Sequence, residues 1–584
     1  MASLDASAVA KLLVEFGQRL ELSGENPYKA RAYYKAAESL LAFPLPLEEV
    51  IAKRRLRDIP GVGAAIAARI ETLHESGTHP TLEAMRQQVP SGVLEMLRIP
   101  GVRPQQILQL YQQLGIGKLD ELEVACGRDL LKAAKGFGPA LQNRILQGLD
   151  MMRRSRGRRL IHRAAKLLEA AASGLRRSRP DPARIVAAGD LRRSCEVVAD
   201  LSLVAEAASG NPDEKSFSLN QEIAVHVAKP ELYGLALLFA TGSADHVRQL
   251  QALAEAQGFT LDENGLRRGG RLVPCKDEKD VYAAFGLPFI EPELREGRGE
   301  IELAAARRLP KLVTDDDLRG LLHCHTNCSD GSNSLQDMAE ATRERGYTYF
   351  GVADHSRSAG YAGGMTVEEI EAQHGEIDAL NAGYAGKFRV LKGIESDILP
   401  DGSLDYPDEV LSRFDFIVAS VHSRFRLDEE VQTARIIRAV SNPHTTILGH
   451  MTGRLLLRRP GYEIDIDAIL KACAEHRVAV EINCNPHRLD LDWRWHGRAL
   501  ELGCMMGINP DAHSIAELDL TQWGVRVARK GGVPKERVLN CQSLAAITRY
   551  LGKRKISGTR TAGSAAAAPT GRSRNRKEPA PDSG

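Results

Sequence analysis

The sequence predicts a multidomain protein of α and α/β class, in which a helical N-terminal region leads through an α+β middle to a C-terminal distorted β/α barrel. Three observations carry that prediction. The 584 residues exceed what one hydrophobic core organises. Glycine hairpins recur ahead of amphipathic helices in the first 150 residues. From about residue 319 onward, apolar strand-like runs alternate with helical stretches, and polar residues gather at the C-terminal ends of the runs. A hydrophobic content of 43% and a charged content of 26% are those of an ordinary globular protein. No apolar run is long enough to span a bilayer. The opening MASLDASAVAKLLVEFGQ lacks the basic n-region of a signal peptide. Nine cysteines without a CxxC pair suit reduced thiols, so a cytoplasmic location is expected.

Helices are expected up to about residue 150. Asp58-Ile59-Pro60-Gly61-Val62-Gly63 precedes the helical AAIAARIETL, Ile99-Pro100-Gly101-Val102-Arg103 precedes PQQILQLYQQL, and Gly136-Phe137-Gly138 precedes PALQNRIL. A hairpin directed into a helix N-terminus presents backbone N–H groups that suit a nucleic-acid phosphate. Gly61, Gly63, Gly101, Val102, Gly136 and Gly138 are therefore candidate DNA contacts. A plain helical bundle with glycine turns remains the alternative, above all for the third hairpin. Between Met151 and Arg179 the chain carries ten Lys and Arg against one acid, Glu169. Beside the hairpins, that run reads as phosphate contact rather than a merely solvated face. The pattern resembles the helix-hairpin-helix 8-kDa and fingers region of family X DNA polymerases, over 1–92 and 93–150.

The resemblance continues, toward the bacterial branch of that family, as a palm over 151–240 and a thumb over 241–312. Ala188-Gly189-Asp190-Leu191-Arg192-Arg193 matches the Ala-Gly-Ser-x-Arg-Arg that opens the family's nucleotide site. Val198 to Ser202 falls where the family has its Gly-Asp-x-Asp metal pair, and Glu222 to His226 where the third carboxylate belongs. Nucleotidyl transfer needs carboxylates to hold divalent ions against the triphosphate. Of three expected acids only Asp200 is present; Ser202 and Ala224 replace the others. Asp190 puts a negative charge where an anion should bind, beside Gly189 and Arg193. Arg69 stands where some members carry a Schiff-base lysine, and arginine stays protonated. The resemblance thus implies degenerate polymerase and lyase centres.

The C-terminal part is organised around Leu321 to Gly331, LLHCHTNCSDG. Alternate residues of a strand share a face, so His323 and His325 are expected to point at one spot while Cys324 turns away. Asp330 can return to the pair through a turn. Later strand-like runs end in Asp354 and His355, Glu395, His422, His450, Glu481 with Asn483, and Asp511 with His513. In a β/α barrel those ends meet on one face. This looks like the PHP (polymerase and histidinol phosphatase) domain, over 319–554. That family binds up to three metals through nine ligands, and all nine positions are filled: His323, His325, Asp330, His355, Glu395, His422, His450, Asp511 and His513. Imidazole nitrogen with carboxylate oxygen favours Mn or Zn, two to three ions, over Mg. Glu395 is the expected bridge. Arg488 and Arg424 are candidates for steadying a phosphate or leaving group, with surface ion pairing as the alternative. His374, His444 and His487 are taken as structural. The tail at 555–584, rich in Ala, Gly, Ser, Pro and Arg, is expected to be disordered.

Function follows from the contrast between a complete metal set and an incomplete palm. The expectation is a DNA-binding, metal-dependent phosphodiesterase or phosphatase acting in repair on gapped, nicked or 3′-ended DNA. The activity implied is 3′–5′ exonuclease, 3′-end processing or abasic endonuclease. A gap-filling polymerase with proofreading, a histidinol-phosphate-type phosphatase and a DNA scaffold with structural metals are the alternatives.

Overall fold

The computed structural model describes residues 3–24, 27–42, 47–133, 136–178, 184–207, 216–219 and 222–552. The expected disordered tail at 555–584 lies outside them. The chain divides into two compact units, one running to Gly157 together with Leu457–Arg459, the other holding the rest from Arg158.

The first unit is helical. Helix α1 (Ala6–Ser23) starts where the Asp5 carboxylate accepts from the Ala8 N–H at 2.7 Å, and it ends at Gly24 in the left-handed region. It packs on α2 (Pro27–Ala42) around Val9, Leu13, Phe16, Ala36 and Ile70. A second core holds Ile99, Ile107, Leu110 and Ile145. Helices α3 (Ala64–Ser76), α4 (Pro104–Leu114) and α5 (Pro139–Ser155) are each entered through a hairpin. Gly61, Gly101 and Gly136 have φ of 82°, 78° and 93°, a conformation that favours glycine. The next residue, Val62, Val102 or Phe137, is buried as an anchor. The third, Gly63, Arg103 or Gly138, is an exposed N-cap. Val102 thus enters the core and its N–H bonds to the Ile99 carbonyl at 3.4 Å, which leaves Arg103 as the outward position of that hairpin. A Cβ built at Gly63 or Gly138 meets nothing within 4 Å, so both hairpins face open space. Arg69 lies over the rings of Phe16 and Tyr33, at 5.7 and 5.5 Å from their centroids.

The second unit opens with α6 (Ile161–Ser178), whose Ile161, Ala164 and Leu168 cover a four-stranded sheet. Its strands are β1 (Ile185–Ala187), β2 (Leu201–Glu206), β3 (Ser216–Leu219) and β4 (Ile223–Ala228), in the order β1-β2-β4-β3. The central pair, β2 and β4, is parallel. Helix α7 (Tyr233–Thr241) covers the other face through Tyr233 and Leu237 against Val204. A small antiparallel meander of β5 (Phe259–Asp262), β6 (Gly265–Arg268) and β7 (Arg271–Val273) follows.

Seven parallel strands then wind into a barrel: β8 (Gly320–Cys324), β9 (Tyr349–Val352), β10 (Arg389–Asp397), β11 (Phe416–Ser420), β12 (Ile447–Leu448), β13 (Ala479–Asn483) and β14 (Met506–Asn509). Their spatial order is their chain order, with a helix between each strand and the next. The seam between first and last strands is joined where Cys324 bridges Ala512 and the His325 N–H donates to the Ala512 carbonyl at 2.8 Å. No helix among the described residues is long and apolar enough to cross a membrane.

Candidate metal centre

The C-terminal ends of the barrel strands deliver all nine candidate ligands to one place. His323 lies next to the end of β8, but not in a regular pleat. The β8–β9 register shifts between Leu321 and Cys324, and His323 has φ 59°. This bulge, rather than simple alternation, brings the His323 and His325 rings to 5.4 Å centroid separation. Cys324 turns into the core beside Leu335 and Phe350. The loop that follows is fixed by buried Asp354, whose carboxylate accepts from the Thr326 N–H (2.8 Å) and hydroxyl (2.7 Å), the Ser329 hydroxyl (2.6 Å) and Gln373 Nε2 (2.7 Å). The Gly331 N–H closes the same loop on the Thr326 carbonyl, and Asp330 is left facing the histidines.

Three groups of donors form. His325, Asp330, His355 and His513 make one, His323, His325 and Asp511 a second, and His355, Glu395 and His422 a third; within each, one atom per residue lies within 4.8 Å of the others. His450 completes the nine with Nε2 at 3.0 Å from Glu395 Oε1. Glu395 is the common centre. Its Oε1 lies 3.3 Å from His323 Nε2 and 3.4 Å from His422 Nε2, and its Oε2 lies 3.0 Å from His355 Nδ1 and 3.6 Å from His325 Nε2. A carboxylate facing different imidazoles with each oxygen has the disposition of a bridge between ions.

The donor set fits divalent ions on its own chemistry. Burial would raise the Glu395 carboxyl, yet the surrounding imidazoles of His422, His323 and His355 hold it well below the usual range. Asp511 is likewise held low, against its burial, by His323 and His325. In return Glu395 and Asp397 outweigh burial at His422 and push its imidazole up to about 10, and Asp330 and Asp511 push His513 up to about 9. The clustered carboxylates thus favour positive charge at the centre, as a site for divalent cations does, although burial and the neighbouring imidazoles lower His325 to about 4. Among the described residues, the buried ring nitrogens His323 Nε2, His325 Nε2 and His355 Nδ1 face this cluster without a hydrogen-bond partner, and these are atoms a cation would satisfy.

Outer groups aim the ligands, and the sequence did not mark their roles. Glu481 Oε1 takes the Nδ1 proton of His323 at 2.6 Å, which turns the Nε2 lone pair inward. Its carboxylate also accepts from the His450 N–H (2.7 Å) and Asn509 Nδ2 (2.8 Å). Asp397, two residues beyond Glu395 on the same strand face, does the same for His422 Nδ1 at 2.6 Å. Arg488 reaches the rim, with Nε 3.9 Å from Asp511 Oδ2. Arg424 is exposed and, among the described residues, pairs with no carboxylate of the cluster. His374 packs edge-on against Phe414, and His487 lies 5.5 Å from His162.

The four-stranded sheet brings the three expected acidic positions together. Asp200 immediately precedes β2, and Ser202 on β2 lies in register with Ala224 on β4. The Asp190 N–H donates to Asp200 Oδ1 at 2.9 Å, and Gly189, at φ 63°, has no room for a Cβ because Asp200 Oδ2 would lie 2.0 Å from it. Asp190 accepts from Arg193 Nη2 at 2.5 Å and from the Ala199 N–H at 2.8 Å. Arg193 also pairs with Glu296 at 3.0 Å, and Glu296 pairs in turn with buried Lys530. Arg192 forms a two-pronged pair with Glu278.

Family models for a helix-hairpin-helix domain match residues 5–79, a SAM-like helix-hairpin-helix tandem 93–150, a DNA polymerase beta thumb 236–296 and a PHP domain 322–485. The chain is 35% identical over 568 residues to the DNA polymerase/3′-5′ exonuclease PolX of Bacillus subtilis, covering 93% of this chain and 98% of that one. A probable phosphatase of Caldanaerobacter subterraneus is 26% identical over 251 residues, 41% of this chain and 93% of its own. Another, from Caldicellulosiruptor saccharolyticus, is 30% identical over 166 residues, 28% of this chain and 64% of its own. With helix-hairpin-helix, thumb and PHP regions in one order and a relative matched almost end to end, the chain belongs to the PolX family, family X DNA polymerases that carry a C-terminal PHP-type phosphoesterase domain.

Proposed function

We propose that this protein hydrolyses phosphodiesters at the 3′ end of DNA with the PHP centre, and that its palm no longer transfers nucleotides. The observation that carries this reading is the contrast between the two centres. All nine donors converge around Glu395 with buried nitrogens free, whereas Ser202 and Ala224 occupy two of three acidic positions in the palm. Bound divalent ions, Mn or Zn on this donor set, supply Lewis acidity and lower the pKa of a bound water. The chain's own residues do the rest. Glu481 and Asp397 hold the His323 and His422 tautomers, and Arg488 offers its guanidinium to a phosphate oxygen at the rim.

DNA as substrate is supported by the open hairpins at Gly63 and Gly138 with exposed Arg103 between them, and by the name of the Bacillus subtilis relative. The preferred form is a gapped, nicked or recessed 3′ end. Nine cysteines, all reduced thiols, support a reducing, cytoplasmic location. Loss of nucleotidyl transfer is supported by the palm's internal pairing, in which Asp190, Arg192 and Arg193 are all engaged by protein groups. An active polymerase is the second reading, favoured by the relative's name.

A labelled, 3′-recessed primer–template with Mn, with and without deoxynucleotides, separates the two. The expected outcome is shortening in both lanes, no extension, and loss of shortening by at least about a hundredfold in His323→Ala/His325→Ala. Extension by the wild type would overturn the reading of the palm, and shortening that survives the double substitution would overturn the assignment of the centre.

A further inference from the structure

The most exposed large aromatic side chain of the barrel stands directly over the metal centre. Tyr361 is 73% exposed, and its ring centroid lies 6.2 Å from that of His355 and 6.3 Å from that of His422. The segment that carries it is otherwise tied down. The Met365 N–H donates to the His355 carbonyl at 2.9 Å, and the Ser356 N–H donates to the Glu395 carbonyl at 3.0 Å. The Arg357 N–H bonds to the Tyr406 hydroxyl at 3.0 Å, and the Ser358 N–H to Asp405 Oδ2 at 2.6 Å. Ala359 and Ala362, on either side of Tyr361, are buried. A rigid loop anchored through two candidate ligands therefore holds one aromatic ring out in water. Standing beside the His355 and His422 rings, the phenol borders the place where a scissile phosphate would be held.

We infer that Tyr361 is the stacking platform for the terminal nucleobase of a 3′ end, a binding subsite beside the metal centre that places the adjoining phosphodiester over the ligands. The inference rests on the hydrolytic reading above. An aromatic face accepts every base because each has a π-face, so the subsite recognises a nucleobase without choosing among them. A rigid ring needs little ordering on binding, which is why the fixed loop matters.

Two measurements on the full-length protein test it, with wild type, Tyr361→Phe and Tyr361→Ala. In the first, an oligonucleotide ending in 2-aminopurine is titrated without turnover, and stacking quenches its fluorescence. In the second, kcat/KM in Mn is compared between a 3′ end bearing a base and the same end lacking one. The expected result is quenching by wild type and Phe but not Ala, and a fall of about tenfold in the base-bearing to base-free ratio for Ala alone. Equal quenching by Ala, or an unchanged ratio, overturns the platform even if excision is seen. Tyr361-dependent quenching without any Mn-dependent excision would instead retain the platform and overturn the hydrolytic reading.

Discussion

At the scale of single residues, the centre depends as much on groups that touch ligands as on the ligands. Glu481 is buried and receives four donors: His323 Nδ1, the His450 N–H, Asn483 Nδ2 and Asn509 Nδ2. Glu481→Gln would set an NH2 against donors and free the His323 tautomer. We predict a fall in metal affinity of about 10- to 100-fold, read by metal competition, with unchanged circular dichroism. Unchanged affinity would mean that Glu481 serves packing alone. Several of the nine candidate ligands were legible as polar residues at the ends of apolar runs, whereas the full set, with Asp330 in a loop and His450 between Gly449 and Met451, came from the resemblance to the PHP family. Glu481 and Asp397 had no legible role, since their partners come from distant parts of the chain: Glu481 meets His323 across 158 positions. Tyr361 gave no signal, because one tyrosine in a glycine-rich loop is commonplace until its distance to His355 is known.

At the scale of elements, helix and strand order were legible and local geometry was not. The alternation of runs from residue 319 foretold the barrel, but pleating was the wrong reason for the His323–His325 convergence; the bulge at His323 is. The hairpins are legible as glycine-led entries into helices that present N–H groups to phosphate, but the division of each into turn, buried anchor and exposed cap is not. That division sends Val102 inward and Arg103 outward. The helix His496–Leu502 carries a pH dependence of its own. His496 is fully buried, its Nε2 donates to the Leu491 carbonyl at 3.1 Å, and a Cβ at Gly531 would lie 2.2 Å from its Nδ1. Burial lowers its pKa from the ordinary 6.5 to about 4. The unfolded chain therefore takes up this proton more readily than the folded one. Stability is full above about pH 6.5 and falls by up to about 1.4 kcal/mol per unit as pH drops toward about 4. His162 and His374, also lowered to about 4 by burial, act in the same direction. Urea midpoints at pH 7 and pH 5 should differ in the wild type, and the difference should shrink in His496→Gln. An equal difference in both would assign the pH dependence to other groups.

At the scale of the whole second unit, the four-stranded sheet and the barrel share charged contacts that tie down Arg193 and Glu196. Lys530, on the helix Thr521–Lys530 beside the barrel, is buried against Glu296 and donates to the Arg193 carbonyl at 3.0 Å. Arg494 and Arg454, from the barrel's loops, both face Glu196. Arg193 is consequently held between Glu296 and Asp190, and Asp190 closes the turn by taking the Ala199 N–H. On the proposed reading of the sheet as a degenerate palm, restoring carboxylates by Ser202→Asp and Ala224→Asp would complete a triad with Asp200 but leave a negative Asp190 where the nucleotide is proposed to bind. We predict that this double variant does not extend a primer, and that adding Asp190→Ser permits nucleotide binding and measurable extension with Mg or Mn. Removing Asp190 also frees Arg193 on one side, so nucleotide affinity should rise with Asp190→Ser before any acid is restored. Equilibrium titration with a fluorescent deoxynucleotide checks that step separately from chemistry. Extension by the double variant would show that Asp190 is no barrier. Failure of the triple variant to bind nucleotide would instead place the block in the sheet–barrel contacts around Arg193 and Lys530, since every acid would then stand where two-metal transfer requires it.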